Sequence, residues 1–255
     1  MYRGTRRRGM RGMGRNPFMM RMQKNATLDA TDAASYAGVV FKTTLLLTIM
    51  FALGLLSATM LVRQEVLIGG YALLIGAPII GFIAVLIGTF VPRLTKPMAF
   101  LYSIVQGLFL GAISAIYTIM FGDYIVPVAL LGTMGIFFAM LFLYRTGLIK
   151  VGSTFRKIAY ALLFGLILAN FFLFMMFLFI GFAQFQTMYL FIVIIGVVLA
   201  SIFLLIDFDN ITKMVEAGVA KEYEWMMSFS LVITIVWLFI EMLRLLAIIA
   251  SRSRN

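Results

Sequence analysis

Residues 201–250 read SIFLLIDFDNITKMVEAGVAKEYEWMMSFSLVITIVWLFIEMLRLLAIIA, and this stretch decides the fold. It contains two long apolar runs joined by a short polar link, a pattern typical of two consecutive membrane-crossing helices. Acids lie at the end of the first run, at Asp207 and Asp209, and inside the second run, at Glu241. A carboxylate in hydrocarbon is costly unless it is paired, protonated or next to water, so these three residues are the first candidates for a functional site.

The composition extends the membrane prediction to nearly all of the 255 residues. Hydrophobic residues make up 63% of the chain, and charged residues make up only 12%, about half the share usual in a soluble domain. The chain has no histidine and no cysteine, which excludes disulfides, the usual zinc sites and a Ser-His triad. We therefore expect no catalytic residues, no cofactor and no firm metal site. The net charge of +11 is expected to face a membrane surface rather than nucleic acid.

Seven apolar segments predict an all-α integral membrane protein, a bundle of seven transmembrane helices. The predicted spans are 43–62, 67–91, 98–120, 125–144, 158–181, 187–206 and 228–250, each long enough to cross about 30 Å of hydrocarbon. Residues 1–42 are predicted to form a basic, partly disordered cytoplasmic tail, residues 43–250 the membrane domain, and residues 251–255 a short C-terminal tail. The basic tail either fixes the orientation of the protein or binds anionic lipid.

The distribution of basic residues predicts the orientation. Of the 21 lysines and arginines, 17 fall on the side of the N-terminus, three fall on the opposite side, and Arg244 lies within the seventh span. The positive-inside rule therefore places the N-terminus in the cytoplasm and, after seven crossings, the C-terminus outside. Arg252 and Arg254 oppose this arrangement slightly, so a re-entrant last segment is an alternative.

Asp207 ends the predicted sixth span, and Arg93 follows the predicted second span, which crosses in the same direction. At this similar depth the two side chains could form an ion pair that closes a water-filled cavity and opens when the acid is protonated. Alternatively, both are ordinary helix-end charges that face water or lipid headgroups. Asp207 and Asp209 are about 200° apart around a helix, so they cannot share a face, and Asp209 is predicted to begin the loop.

Glu241 is the acid at the greatest predicted depth, roughly 20 Å from the inner end of the seventh span and from the level of Asp207. Arg244 follows three residues later, which is the spacing of a same-face pair. Three interpretations are open: a structural pair with Arg244, a cation or proton ligand in a central cavity, and a contact between subunits. Thr234 lies two turns before Glu241 on much the same face, so that face is expected to be wet or packed against polar partners.

The third span contains Gly107 and Gly111, four residues apart. This small-xxx-small spacing predicts a close contact with another helix. Gln106 lies beside these glycines, and we expect its amide to hydrogen-bond across helices, with contact to a ligand as the alternative.

Several motifs occur here in a recognisable order. They are NPFM at 16–19, VVFKTTLLL at 39–47, QGLFLG at 106–111, LLIDFDNI at 204–211 and WLFIEMLRLLAII at 237–249. Together they resemble the Bax inhibitor-1 family, in particular its long bacterial YccA-like branch, over about residues 15–250. The order and spacing carry this resemblance, because no single motif would be enough.

The resemblance implies a seven-helix bundle around a central helix, and a pH-sensitive calcium leak gated by an aspartate pair and an arginine latch. By motif position, the sixth-helix aspartate of the family corresponds to Asp207, and the latch arginine corresponds to Arg93. The seventh-helix aspartate corresponds to Thr234, which cannot share a proton with Asp207. Gln106 stands where an acid is often found. Both changes remove negative charge from the expected ion path.

Two functions follow as expectations. The first is a calcium-permeable leak channel, or a cation or proton transporter, of the bacterial inner membrane, with Asp207 as its protonatable gate and Glu241 as a deep ligand. The second is a non-conducting regulator, since the resemblance also implies binding to a membrane-bound AAA protease or another membrane partner. The basic tail and the loop at 213–225 would then be the interaction surfaces.

Overall fold

The computed structural model describes residues 33–62, 67–180 and 186–252. In this part of the chain seven helices are long and apolar enough to cross a membrane, which confirms the predicted all-α membrane fold. They are α1 Tyr36–Val62, α2 Leu67–Phe90, α3 Thr95–Phe121, α4 Ile125–Arg145, α5 Ser153–Ile180, α6 Gln186–Glu216 and α7 Glu224–Arg252. Short 3-10 turns, Pro92–Leu94 and Lys221–Tyr223, precede α3 and α7.

Four helix ends differ from the predicted spans by four residues or more. Helix α1 begins at Tyr36 rather than at residue 43, and α5 begins at Ser153 rather than at 158. Helix α6 continues to Glu216 rather than ending at 206, and α7 begins at Glu224 rather than at 228. Hydropathy marks where a helix crosses hydrocarbon, whereas the helix itself continues through polar turns beyond that boundary. Asp207 and Asp209 therefore lie inside α6, and the expectation that Asp209 begins a loop is wrong. The first 32 residues of the predicted tail lie outside the described residues.

Helix α7 is the centre of the bundle and packs against α1, α3, α4 and α6. Half (50%) of its most apolar stretch is buried inside the protein, against 11% in α5. Helix α2 packs mainly on α3, and α5 packs mainly on α6, so these two helices lie at the periphery. A functional group on α7 is consequently surrounded by protein, whereas most of α5 is left to face lipid.

Helices α1 and α3 approach each other closely at the two glycines of α3. A Cβ atom added to Gly107 would lie 2.6 Å from the backbone oxygen of Met50, and one added to Gly111 would overlap the backbone oxygen of Gly54. The absence of side chains at these positions lets the two backbones meet, as the small-xxx-small spacing predicts.

The start of α7 is fixed by contacts with the residues at the start of α1. Glu224 is fully buried, forms an ion pair with Lys42, and accepts a 2.8 Å hydrogen bond from the backbone N–H of Ser35. The backbone N–H of Ala34 also donates to the carbonyl of Val219, at 2.8 Å. These contacts hold the first described residues and the α6–α7 connection together at one end of the bundle.

Candidate functional site

The carboxylate of Asp207 joins α6 to the central helix α7. Asp207 is only 5% exposed, and its two oxygens accept hydrogen bonds from Ser230 Oγ at 2.7 Å and from Thr234 Oγ1 at 2.5 Å. Ser230 and Thr234 are four residues apart on α7, so both hydroxyls project from the same face of that helix. An acid that is nearly buried in a membrane protein is thus held between two helices by neutral donors.

The Asp207 site lies next to the surface of the bundle. Ser230, which donates to the carboxylate, is itself exposed, although Asp207 is not. Arg156, near the start of α5, is close enough to interact electrostatically with the same carboxylate.

The predicted contact between Asp207 and Arg93 is wrong for this structure. Arg93 lies in the 3-10 turn after α2 and is exposed, and no ion pair joins it to Asp207, both residues being among those described. The reason is topological, because α2 packs mainly on α3 and meets α7 at Phe229, while Asp207 points from α6 to the hydroxyl of Thr234. Equal depth in the membrane does not place two side chains on neighbouring helices.

Asp209 lies on a different face of α6 from Asp207, as the 200° separation predicts. Its Oδ2 atom forms ion pairs with Arg156 and with Lys213, the latter at 2.5 Å. Asp209 thus ties α6 to the start of α5, and it takes no part in the contact with α7.

Glu241 forms a second carboxylate site on α7. It is 5% exposed, and its Oε1 atom accepts hydrogen bonds from Trp237 Nε1 at 3.2 Å and from Arg244, which lies at 3.3 Å. Gly196 of α6 leaves room for this carboxylate, because a Cβ atom there would lie 2.9 Å from Glu241 Cδ. The structure therefore contains the Glu241–Arg244 pair that the spacing predicts.

The depth predicted for Glu241 needs a correction. Asp207 contacts Thr234, which is seven residues before Glu241, so the two acids differ in depth by about 10 Å rather than 20 Å. The error arose because Asp207 was placed at the end of its helix, whereas α6 continues for nine residues beyond it.

The expected hydrogen bond of Gln106 across helices is not fully made. Its Oε1 atom is buried and has no hydrogen-bond partner among the described residues. Its Nε2 atom lies against α2, where it is the atom that a Cβ added to Gly81 would meet first. The hydroxyls of Thr43 on α1 and Ser103 on α3 are also buried without a partner in that part of the chain.

Two partners of the acids, Ser230 and Trp237, were not singled out from the sequence. Together with the other polar residues of α7 they follow one face at alternating spacings of four and three residues: Ser230, Thr234, Trp237, Glu241 and Arg244. This helical spacing is the signal that could have identified them. No group of three or more acids that could hold a metal ion occurs in the described ranges.

The profile of a family described as Bax inhibitor 1 like matches residues 16–251. The chain belongs to this family. The match covers all seven helices, so this Bax inhibitor 1 like protein is a multi-pass membrane protein of that family. A comparison with curated proteins found no match.

Within this Bax inhibitor 1 like protein the two positions that the motifs align, Asp207 and Thr234, do face each other. Thr234 donates its hydroxyl to the carboxylate, so the pair is an acid and a neutral donor rather than two acids. The second acid of the α6–α7 interface is Glu241, two turns farther along α7.

Proposed function

We propose that this protein is a calcium-permeable cation leak of the bacterial inner membrane, and that protonation of Asp207 controls it. The observation that carries the proposal is the Asp207 carboxylate, nearly buried between α6 and α7 and bonded to two hydroxyls of α7. A carboxylate in such a place is conspicuous because burial of a charge in a membrane protein is costly.

The chemistry of the site predicts the direction of the pH effect. The ionised carboxylate accepts from both Ser230 and Thr234 and thereby holds α6 against α7. Protonation turns one carboxyl oxygen into a donor, which weakens or breaks one of these bonds. Acid therefore loosens the interface, and flux is expected to rise as the pH falls. Loss of one such bond, at about 0.6 kcal/mol, would change the open fraction about threefold.

Flux into vesicles tests this proposal. Purified protein is reconstituted into vesicles that contain a calcium indicator, and calcium entry is followed from neutral to acidic pH beside protein-free vesicles. Wild-type protein should admit calcium faster at acidic pH. Asp207→Asn should lose this pH response, because the amide, like the protonated acid, has one acceptor oxygen.

Glu216→Gln is the matched control, since Glu216 is an exposed acid at the end of the same helix. It should keep the pH response of the wild type. Absence of calcium entry at every pH, or the same response in Asp207→Asn as in the wild type, would contradict the proposal.

A second candidate is a non-conducting regulator of a membrane-bound AAA protease or another membrane partner. It is favoured by the contact between the residues that follow the basic tail and the α6–α7 connection, at Ala34–Val219 and Lys42–Glu224. These two segments share one end of the bundle and could present one binding surface. Deletion of residues 1–32 should then abolish co-purification of the partner, and the wild-type protein should show no calcium flux. Unchanged co-purification would count against this function.

A further inference from the structure

An aromatic pair lies between the two carboxylate sites of the α6–α7 interface. The rings of Phe203 on α6 and Trp237 on α7 meet edge to face, with their centroids 5.8 Å apart and their planes at 65°. Both residues are half-buried.

The order of contacts along the interface places this pair in the middle. The two helices are antiparallel, so positions progressively earlier in α6 face positions progressively later in α7. Asp207 meets Thr234, Phe203 then meets Trp237, and Gly196 finally meets Glu241. A polar path along these helices would therefore be interrupted by two aromatic rings between its two acids.

At both ends of the interface a polar residue beside the acid reaches the protein surface. Ser230, beside Asp207, is exposed, and the side chain of Arg244, beside Glu241, is 36% exposed. Two tyrosines also lie near the second site, because Tyr117 of α3 interacts electrostatically with Glu241, Arg244 and Tyr189 of α6. The ring pair thus separates two polar sites, each of which has a neighbouring residue at the protein surface.

Trp237 differs from an ordinary packing residue because it contacts both Phe203 and the Glu241 carboxylate. Its ring packs on Phe203 while its indole N–H donates to Glu241 Oε1 at 3.2 Å. Turning the ring away from Phe203 would break the bond to Glu241, so the position of the ring depends on the state of that carboxylate.

We propose that Phe203 and Trp237 form a hydrophobic barrier between two cation-accessible sites, and that Glu241 is the second cation site, on the side remote from Asp207. This inference rests on the proposed cation leak, because a barrier to cations has a function only in a protein that conducts them. A hydrophobic constriction stops ions by excluding water, and it opens when a ring moves. The bond from Trp237 to Glu241 holds the ring in the closed position, and a cation that binds Glu241 competes for that bond.

Thiol labelling tests the barrier independently of calcium flux. The wild-type chain has no cysteine, so single cysteines can be introduced without background. Met226→Cys reports on the Asp207 side, because Met226 lies four residues before Ser230 on the same face of α7. Tyr189→Cys reports on the other side, because Tyr189 lies seven residues before Gly196 on the same face of α6. Each variant is reconstituted in one orientation and treated from one side with a small membrane-impermeant cationic methanethiosulfonate.

The barrier predicts that each cysteine reacts from one side only, and that the two react from opposite sides. Adding Trp237→Ala should raise labelling from the previously closed side at least about tenfold, which corresponds to a barrier lowered by about 1.4 kcal/mol. Trp237→Phe, which keeps a ring but loses the indole N–H, should raise labelling from the closed side less than Trp237→Ala does.

Phe172→Ala is the control for general damage, because Phe172 is also in an aromatic pair but is 61% exposed on the peripheral helix α5. It should leave labelling one-sided. The inference is overturned if Trp237→Ala stays one-sided, if Phe172→Ala acts as Trp237→Ala does, or if both cysteines react from both sides without any further change. Two-sided labelling in Trp237→Ala without calcium flux would leave the barrier standing and contradict only the cation leak.

Discussion

Asp207 was identifiable from the sequence, and the motif alignment indicated Thr234, but its second partner, Ser230, was not singled out. An acid at the end of an apolar run is unusual in a membrane protein, and this alone marked the residue as a candidate. Its hydrogen bonds to Ser230 and Thr234 depend on which face of α6 meets α7 and on how the two helices are aligned along their length. The pattern of residue types shows neither of these. The contact with Arg93, inferred from depth, failed for the same reason.

Thr234→Val removes one of the two donors to Asp207 and keeps the shape of the side chain. Hydroxyl donors stabilise the ionised carboxylate, so their loss makes protonation easier. The pH at which calcium flux begins to rise should therefore move upward, and the protein should lose about 0.6 kcal/mol of stability. Flux across a pH series and thermal unfolding in detergent measure the two effects.

Thr133→Val is the matched control, because Thr133 is also buried but donates to the backbone oxygen of Ala129 within its own helix. This change should leave the pH response unaltered. An unshifted response in Thr234→Val would show that the hydroxyl does not set the protonation of Asp207.

At the scale of the helices, the sequence predicted which segments cross the membrane but not where α1, α5, α6 and α7 begin or end. Apolar length determines the crossing, whereas the last polar turns of a helix are stabilised by tertiary contacts such as the ion pair of Lys42 with Glu224. The extension of α6 to Glu216 is what brought Asp209 into the helix. It also reduced the distance in depth between Asp207 and Glu241.

Gly111→Ala should destabilise the packing of α1 on α3. The new Cβ atom would overlap the backbone oxygen of Gly54, and a backbone cannot move aside as a flexible side chain can. We expect a loss of about 1–3 kcal/mol, seen as a lower unfolding temperature in detergent. Gly135→Ala on α4, where a Cβ atom would meet nothing within 4 Å, should leave stability unchanged or improve it slightly. Equal unfolding temperatures for the two variants would contradict the close contact.

At the scale of the whole molecule, the helix bundle gives the basic residues a common location. The contacts of Ala34 with Val219 and of Arg156 with Asp209 bring the start of α1, the start of α5 and the end of α6 to one end of the bundle. Most lysines and arginines of the connecting segments lie at this end, which the positive-inside rule assigns to the cytoplasm. We therefore expect acid applied from the cytoplasm to reach the Asp207 site.

The most direct test of the central claim, that protonation of Asp207 opens the protein, is calcium flux with acid applied to one side at a time. The protein is reconstituted in a single orientation, and the pH is lowered either on the side of the basic loops or on the opposite side. We predict that acid on the side of the basic loops accelerates flux, that acid on the other side has little effect, and that Asp207→Asn responds to neither. An equal response from both sides, or a response that survives in Asp207→Asn, would contradict the account.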